Sequence, residues 1–125
     1  MSAVSLYAIV DKSAGEQVDA SYLVHGSIKS RATFTTVTTT AITESFNVAS
    51  LTDNGTGDTT VNYTNNMNSA DFSVTTAHNS GIAYGAKLTV TAKAAGSAQV
   101  KLIQGVSSTG LDISDNNVIV AGDVA

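Results

Sequence analysis

Ser45-Phe46-Asn47-Val48-Ala49-Ser50-Leu51-Thr52-Asp53-Asn54-Gly55-Thr56-Gly57-Asp58-Thr59-Thr60-Val61-Asn62-Tyr63 carries the clearest backbone signal of the 125-residue chain. Phe46 and Val48 are expected on one face with Ser45 and Asn47 on the other, and further on Val61 and Tyr63 alternate with Thr60 and Asn62. A period of two is that of a half-buried strand. Between the two arms, Asn54-Gly55 is a dipeptide that tolerates the positive φ of a type I′ turn, and Gly57 follows where a left-handed or bulged residue is needed. The stretch predicts a β-hairpin.

Alternation extends outward in both directions. Toward the N-terminus, Val4, Leu6, Ala8 and Val10 alternate with Ser5, Tyr7 and Ile9, predicting a first strand with apolar character on both faces. Ser21 to His25 predicts a short second strand closed at Gly26. Arg31 to Thr43 is rich in Thr, whose branched Cβ favours the pleated strand. The absence of proline and the interleaved Phe34, Val37 and Ile42 favour a folded strand there over a mucin-like stalk. Toward the C-terminus, Phe72, Val74 and Thr76 continue the pattern, and His78 to Gly81 is turn material. Ala86, Leu88, Val90 and Ala92 are then expected on one face, and Ala98, Val100, Leu102 and Gln104 on one face of a paired strand after the Ala94 to Ser97 turn. Val118 to Val120 predicts a terminal strand, with Leu111 and Ile113 near its start.

No window holds an apolar i, i+3, i+4, i+7 stripe of helical length. Roughly eight short strands joined by Gly, Asn, Asp and Ser clusters predict one all-β domain over residues 1–125, an antiparallel β-sandwich or jelly-roll-like fold. Alternation by itself leaves a barrel open as well.

Composition narrows the function. Only 13% of residues are charged and the net charge is −4, with six Lys and Arg spread over Lys12, Lys29, Arg31, Lys87, Lys93 and Lys101. Binding to a phosphate backbone needs clustered cations, so nucleic acid is not an expected partner. The chain has no cysteine, which removes disulfides and thiolate chemistry. No run nears the roughly 20 apolar residues of a bilayer span, and membrane insertion is not expected. The segment Met1 to Val10 lacks the basic region of a secretory signal, so synthesis without export is expected.

Catalytic and metal signals are thin. His25 and His78 are the two histidines, fewer than a catalytic zinc site draws upon without added carboxylates. No Gly-x-Ser-x-Gly elbow occurs, and Gly55-x-Gly57 has no third glycine at phosphate-loop spacing. Asp53 with Asp58, and Asp112 with Asp115, could serve as paired carboxylates, yet Asp in such clusters also forms turns. Asp112, Ser114, Asn116 and Asp123 match positions 1, 3, 5 and 12 of a calcium loop, whereas Asn117 stands where that loop wants Gly. No enzymatic activity, catalytic residue, metal site or cofactor is expected.

Ile42 to Tyr63, with Met67 and Asp71-Phe72-Ser73-Val74 after it, resembles a module of tail-fibre and related appendage proteins of marine bacteriophages and cyanophages. There a SFNVSSxTDNGTGDYTVNF stretch is followed by Met or Leu and an Asx-aromatic-x-Val strand. The likeness covers about residues 42–77 and departs at Ala49 and Thr59, where Ser and an aromatic are commoner. It implies a virion component assembled in the host cytoplasm as a homo-oligomer, by expectation a homotrimer contacting other tail or capsid proteins. Residues 1–41 are then the expected docking and oligomerisation strands, and residues 42–121 the fibre-like sandwich portion. Such modules usually close a long protein, whereas here the match lies in a short chain, so a short fibre, a fibre tip or adaptor, and a capsid decoration protein are the expected roles. The alternative is a host receptor or glycan-binding module using Tyr7, Tyr22, Tyr63 or Tyr84 for stacking.

Overall fold

The computed structural model describes residues 8–10, 15, 17–79, 85–105 and 109–125. Within these lie β1 (Ala8–Val10), β2 (Gln17–Asp19), α1 (Ser21–Gly26), β3 (Ile28–Thr35), β4 (Ala41–Phe46), β5 (Val48–Gly55), β6 (Asp58–Tyr63), β7 (Ser73–His78), β8 (Lys87–Ala94), β9 (Ser97–Ile103) and β10 (Asn116–Ala121). The chain folds as an all-β sandwich of two antiparallel four-stranded sheets, ordered β4-β3-β10-β7 and β5-β6-β9-β8. β1 and β2 form a separate two-stranded sheet.

Strand alternation aims one side of each sheet into a common core. In the first sheet, Ser30, Ala32 and Phe34 of β3 lie opposite Val120, Val118 and Asn116 of β10, all buried. In the second, Thr59 and Val61 of β6 face Val100 and Ala98 of β9, and Leu102 pairs with Leu88 of β8. Met67, Phe72 and Ile113 enter the same core from connections between strands. Phe72 meets the Tyr63 ring edge-on at 5.7 Å, and the Lys93 ammonium lies 5.3 Å from the Phe72 centroid.

The sheets are tied along one side. Thr76 Oγ1 of β7 donates to the Leu88 carbonyl at 2.7 Å, and Lys93 Nζ of β8 donates to the Phe72 carbonyl at 2.8 Å. His78 Nε2 lies 3.0 Å from the Ala86 carbonyl, which can only accept, so this ring nitrogen carries the proton.

On the opposite side, one residue carries the chain between sheets. The segment Ser45 to Val48, expected as continuous strand, breaks at Asn47, which adopts a left-handed φ of 55°. Asn47 Nδ2 donates to the carbonyls of Lys29 and Asn65, each at 3.0 Å, and its Oδ1 accepts the Asn65 backbone N–H at 2.7 Å. Asn tolerates this backbone conformation better than most residues, and the three bonds hold it there. Phe46 therefore ends β4 exposed on the first sheet, while Val48 opens β5 half-buried against the core.

The hairpin itself forms, with Leu51 opposite Val61 and Asp53 opposite Thr59. Its turn falls on Thr56 and Gly57 rather than on Asn54-Gly55. Asn54 stays in β5 and donates to Thr60 Oγ1, while Gly57 takes φ 68° and is buried beneath Leu111.

Three further expectations are corrected. Ser21 to His25 is helix α1, because the Asp19 carboxylate captures the Ser21 N–H and the Ala20 carbonyl accepts the N–H groups of Leu23 and Val24. The Thr-rich run is two strands, β3 and β4, with residues 36–40 as their loop. Thr36 exchanges bonds with Ile113 there, and Thr38 takes φ 63°. Ala92 is exposed because the β8–β9 register shifts between Val90 and Ala92. The boundary between residues 41 and 42 falls within β4, and β3 lies between β4 and β10. Residues 4–7 of the first expected strand, and Tyr84 and Gly81, lie outside the described residues.

Candidate functional site

The candidate chemical residues are dispersed over the fold. Asn116, at the start of β10, pairs with His78, whereas His25 reaches Asp123 just beyond the other end of that strand. The two histidines therefore cannot share an ion. Among the described residues no three His, Asp or Glu side chains gather as metal ligands.

Each carboxylate of the two pairs has a structural partner. Asp53 Oδ1 accepts the Gly55 N–H at 3.0 Å, and Asp58 Oδ1 accepts Gln99 Nε2 at 2.8 Å. Asp112 Oδ1 accepts the Gly57 N–H at 2.7 Å, and Asp115 Oδ1 accepts Asn117 Nδ2 at 3.0 Å. The calcium-loop spacing is also broken up. Asn116 is buried and spends its amide on the carbonyls of Phe34 and Ile113, while Asp123 lies 2.6 Å from His25 Nδ1.

What the fold does assemble is an apolar end. All six residues of α1 are exposed, including Tyr22 at 71%, Leu23 and Val24. Ile28, Phe46 at 58% and Val124 are exposed too, and together line a groove of about 630 Å³ with Lys29, Asn47 and Asn65. The His25–Asp123 contact brings α1 beside this groove, because Val124 adjoins Asp123. Val18 of β2 is likewise exposed on the approach to α1. An apolar run of Tyr22-Leu23-Val24 was visible in the sequence, but its exposure follows only from the helix that forms there.

Electrostatics at this end are local. The Ser21 backbone N–H, and then its side chain, hold the Asp19 carboxyl below its ordinary value against a small opposing effect of burial. Arg31 and Glu44 pair at 2.8 Å on the exposed face of the first sheet. In the core, burial pushes the Tyr63 phenol up to about 12, and its hydroxyl has no hydrogen-bond partner among the described residues.

Of the four tyrosines, Tyr63 is buried, Tyr22 is exposed on α1, and Tyr7 and Tyr84 lie outside the described residues. No described helix is long and apolar enough to cross a membrane. Comparison with protein-family models, curated proteins and solved structures finds no match to this chain.

Proposed function

We propose that this chain is a non-enzymatic structural component of a bacteriophage virion, a short fibre, fibre tip or adaptor, or capsid decoration protein, that works by homo-oligomeric packing. The phage assignment rests on the resemblance over about residues 42–77. The packing rests on one observation above the others, the apolar end formed by Tyr22, Leu23, Val24, Ile28, Phe46 and Val124. Several large apolar side chains left exposed at one end of a fold are the kind of surface that an interface covers. The homotrimer implied by the resemblance is the assembly proposed.

Host-glycan recognition, the alternative, draws on Tyr22 alone among the described tyrosines, which is a narrow stacking platform. Packing is therefore the better-supported reading.

Light scattering on the purified chain at micromolar concentration tests it, with a stable trimer expected and a monomer overturning it. Val24→Lys with Phe46→Lys should dissociate the trimer while leaving the fold intact, since both side chains are exposed. Locating the chain in an intact particle by electron microscopy tests the virion assignment.

A further inference from the structure

Among the described residues β1 and β2 pair with each other and with no strand of either four-stranded sheet. All three residues of β2 are exposed, and Val18 is 48% exposed. A two-stranded hairpin is marginal in water unless a third strand or a packed face supports it. Among the described residues no third strand joins this hairpin, and α1, which follows it, buries no residue.

The sandwich offers an unmatched edge in turn. β4 pairs with β3 on one side, and no described strand lies on the other. An edge of this kind presents unpaired backbone N–H and C=O groups, so the chemistry it calls for is another extended strand. On the far side of the sandwich Thr76 of β7 donates to the Leu88 carbonyl of β8, and His78 and Lys93 bond the Ala86 and Phe72 carbonyls beside those strands, so that the β7 and β8 edges face each other. β5 is an open edge as well, with Ser50 to Asp53 in regular register with Asn62 to Thr59, but it belongs to the sheet that does not contain β3, the strand into which the arm leads. β4 has one shift, but Glu44, Ser45 and Phe46 run in regular register with Thr33, Ala32 and Arg31. Those three residues match the length of β2. The one charge among them, Glu44, is already paired with Arg31, so an acidic chain can approach without meeting a bare carboxylate.

Resting on the packing reading, we propose that β2 of one copy adds to the free edge of β4 in a neighbouring copy. The hairpin gains its third strand and β4 its missing neighbour. Because donor and acceptor are different surfaces, each copy both gives and receives a strand, and such a head-to-tail contact closes into a ring when its rotation permits. The arm leaves the sandwich where β3 begins, and Phe46 at the end of β4 lies opposite Arg31, three residues into that strand. Donor and acceptor thus sit at the same end of each molecule, as a ring around one axis requires.

The natural absence of cysteine allows a direct test with full-length chains. Val18→Cys is co-expressed in turn with Glu44→Cys, Ser45→Cys or Phe46→Cys, so that register and face are both sampled, and the mixture is oxidised. A disulfide-linked dimer of the Val18→Cys chain with at least one acceptor chain is expected, absent when either is expressed alone. A dimer formed by Phe46→Cys or Ser45→Cys alone would mean that β4 pairs with its own copy, and would overturn the exchange. No crosslink in a chain that light scattering shows to be oligomeric would overturn the exchange and leave the packing reading standing. A monomer would overturn both.

Discussion

The backbone N–H of Gly57 donates to the Asp112 carboxylate at 2.7 Å, joining the tip of the β5–β6 hairpin to the segment before β10. The Gly57 carbonyl accepts the Leu102 N–H at 2.9 Å, so the turn is clamped from two directions. A Cβ at Gly57 would lie 2.5 Å from the Leu111 carbonyl oxygen and 2.7 Å from its nitrogen. Gly55 differs, because its φ of 133° disfavours a side chain but no described atom lies within 4 Å of where its Cβ would stand. Gly57→Ala should therefore cost about 3 kcal/mol or more, and Gly55→Ala about 1–2 kcal/mol. Asp112→Ala should cost about 1–2 kcal/mol through the lost charged acceptor. Urea unfolding midpoints check the order, and equal effects at the two glycines would contradict the clamp.

Asn47 combines two demands that substitutions can separate. Glycine keeps the left-handed backbone and loses the bonds to Lys29 and Asn65, whereas alanine loses both. Asn47→Gly should lower stability by about 2 kcal/mol, and Asn47→Ala by roughly 1 kcal/mol more. If the two variants unfold at the same urea concentration, backbone strain plays no part at this corner.

The sequence showed strands most clearly where a strand is interior and buries one face. Thr59, Val61 and Tyr63 of β6, and Ala98, Val100 and Leu102 of β9, alternate in the sequence as they do in the sandwich. Alternation fails where a distant partner decides. Asn47 looks like any polar strand residue until Lys29 and Asn65 are in place, and Thr36 ends β3 because Ile113 is there to bind it. Tyr22-Leu23-Val24 is too short for either period to be read, and the Asp19–Ser21 bond starts a helical turn instead. The exposed end followed from these same local events, so it could not be anticipated from hydrophobicity alone.

Tyr63 gives the fold an alkaline limit. Its folded-state pKa of about 12 lies above the ordinary value near 10, so the folded state holds the phenolic proton more tightly than the unfolded chain does. This contribution is fully present below about pH 10 and is lost as pH rises through 12, a decline on the order of 2 kcal/mol. Tyr63→Phe should flatten that decline. At pH 7 the variant should be as stable as the parent or slightly more so, because the deleted hydroxyl is buried without a partner among the described residues. Urea unfolding at pH 8, 10 and 11.5 measures both effects, and a decline unchanged in the variant would exclude Tyr63 as its source.

Asn116 separates a structural loop from a calcium loop. In a calcium loop a carboxylate at its position would strengthen ion binding, and Asn116→Asp would gain stability when calcium is added. In this fold the Asn116 amide donates to the Phe34 and Ile113 carbonyls from a buried site, and an aspartate would turn carboxylate oxygens toward those same acceptors. Asn116→Asp should therefore cost about 3 kcal/mol or more at neutral pH. Millimolar calcium should move the melting temperature of neither form. A calcium-dependent rise in the variant would show that residues 112–123 can rearrange around an ion, and would contradict a purely structural role for Asn116.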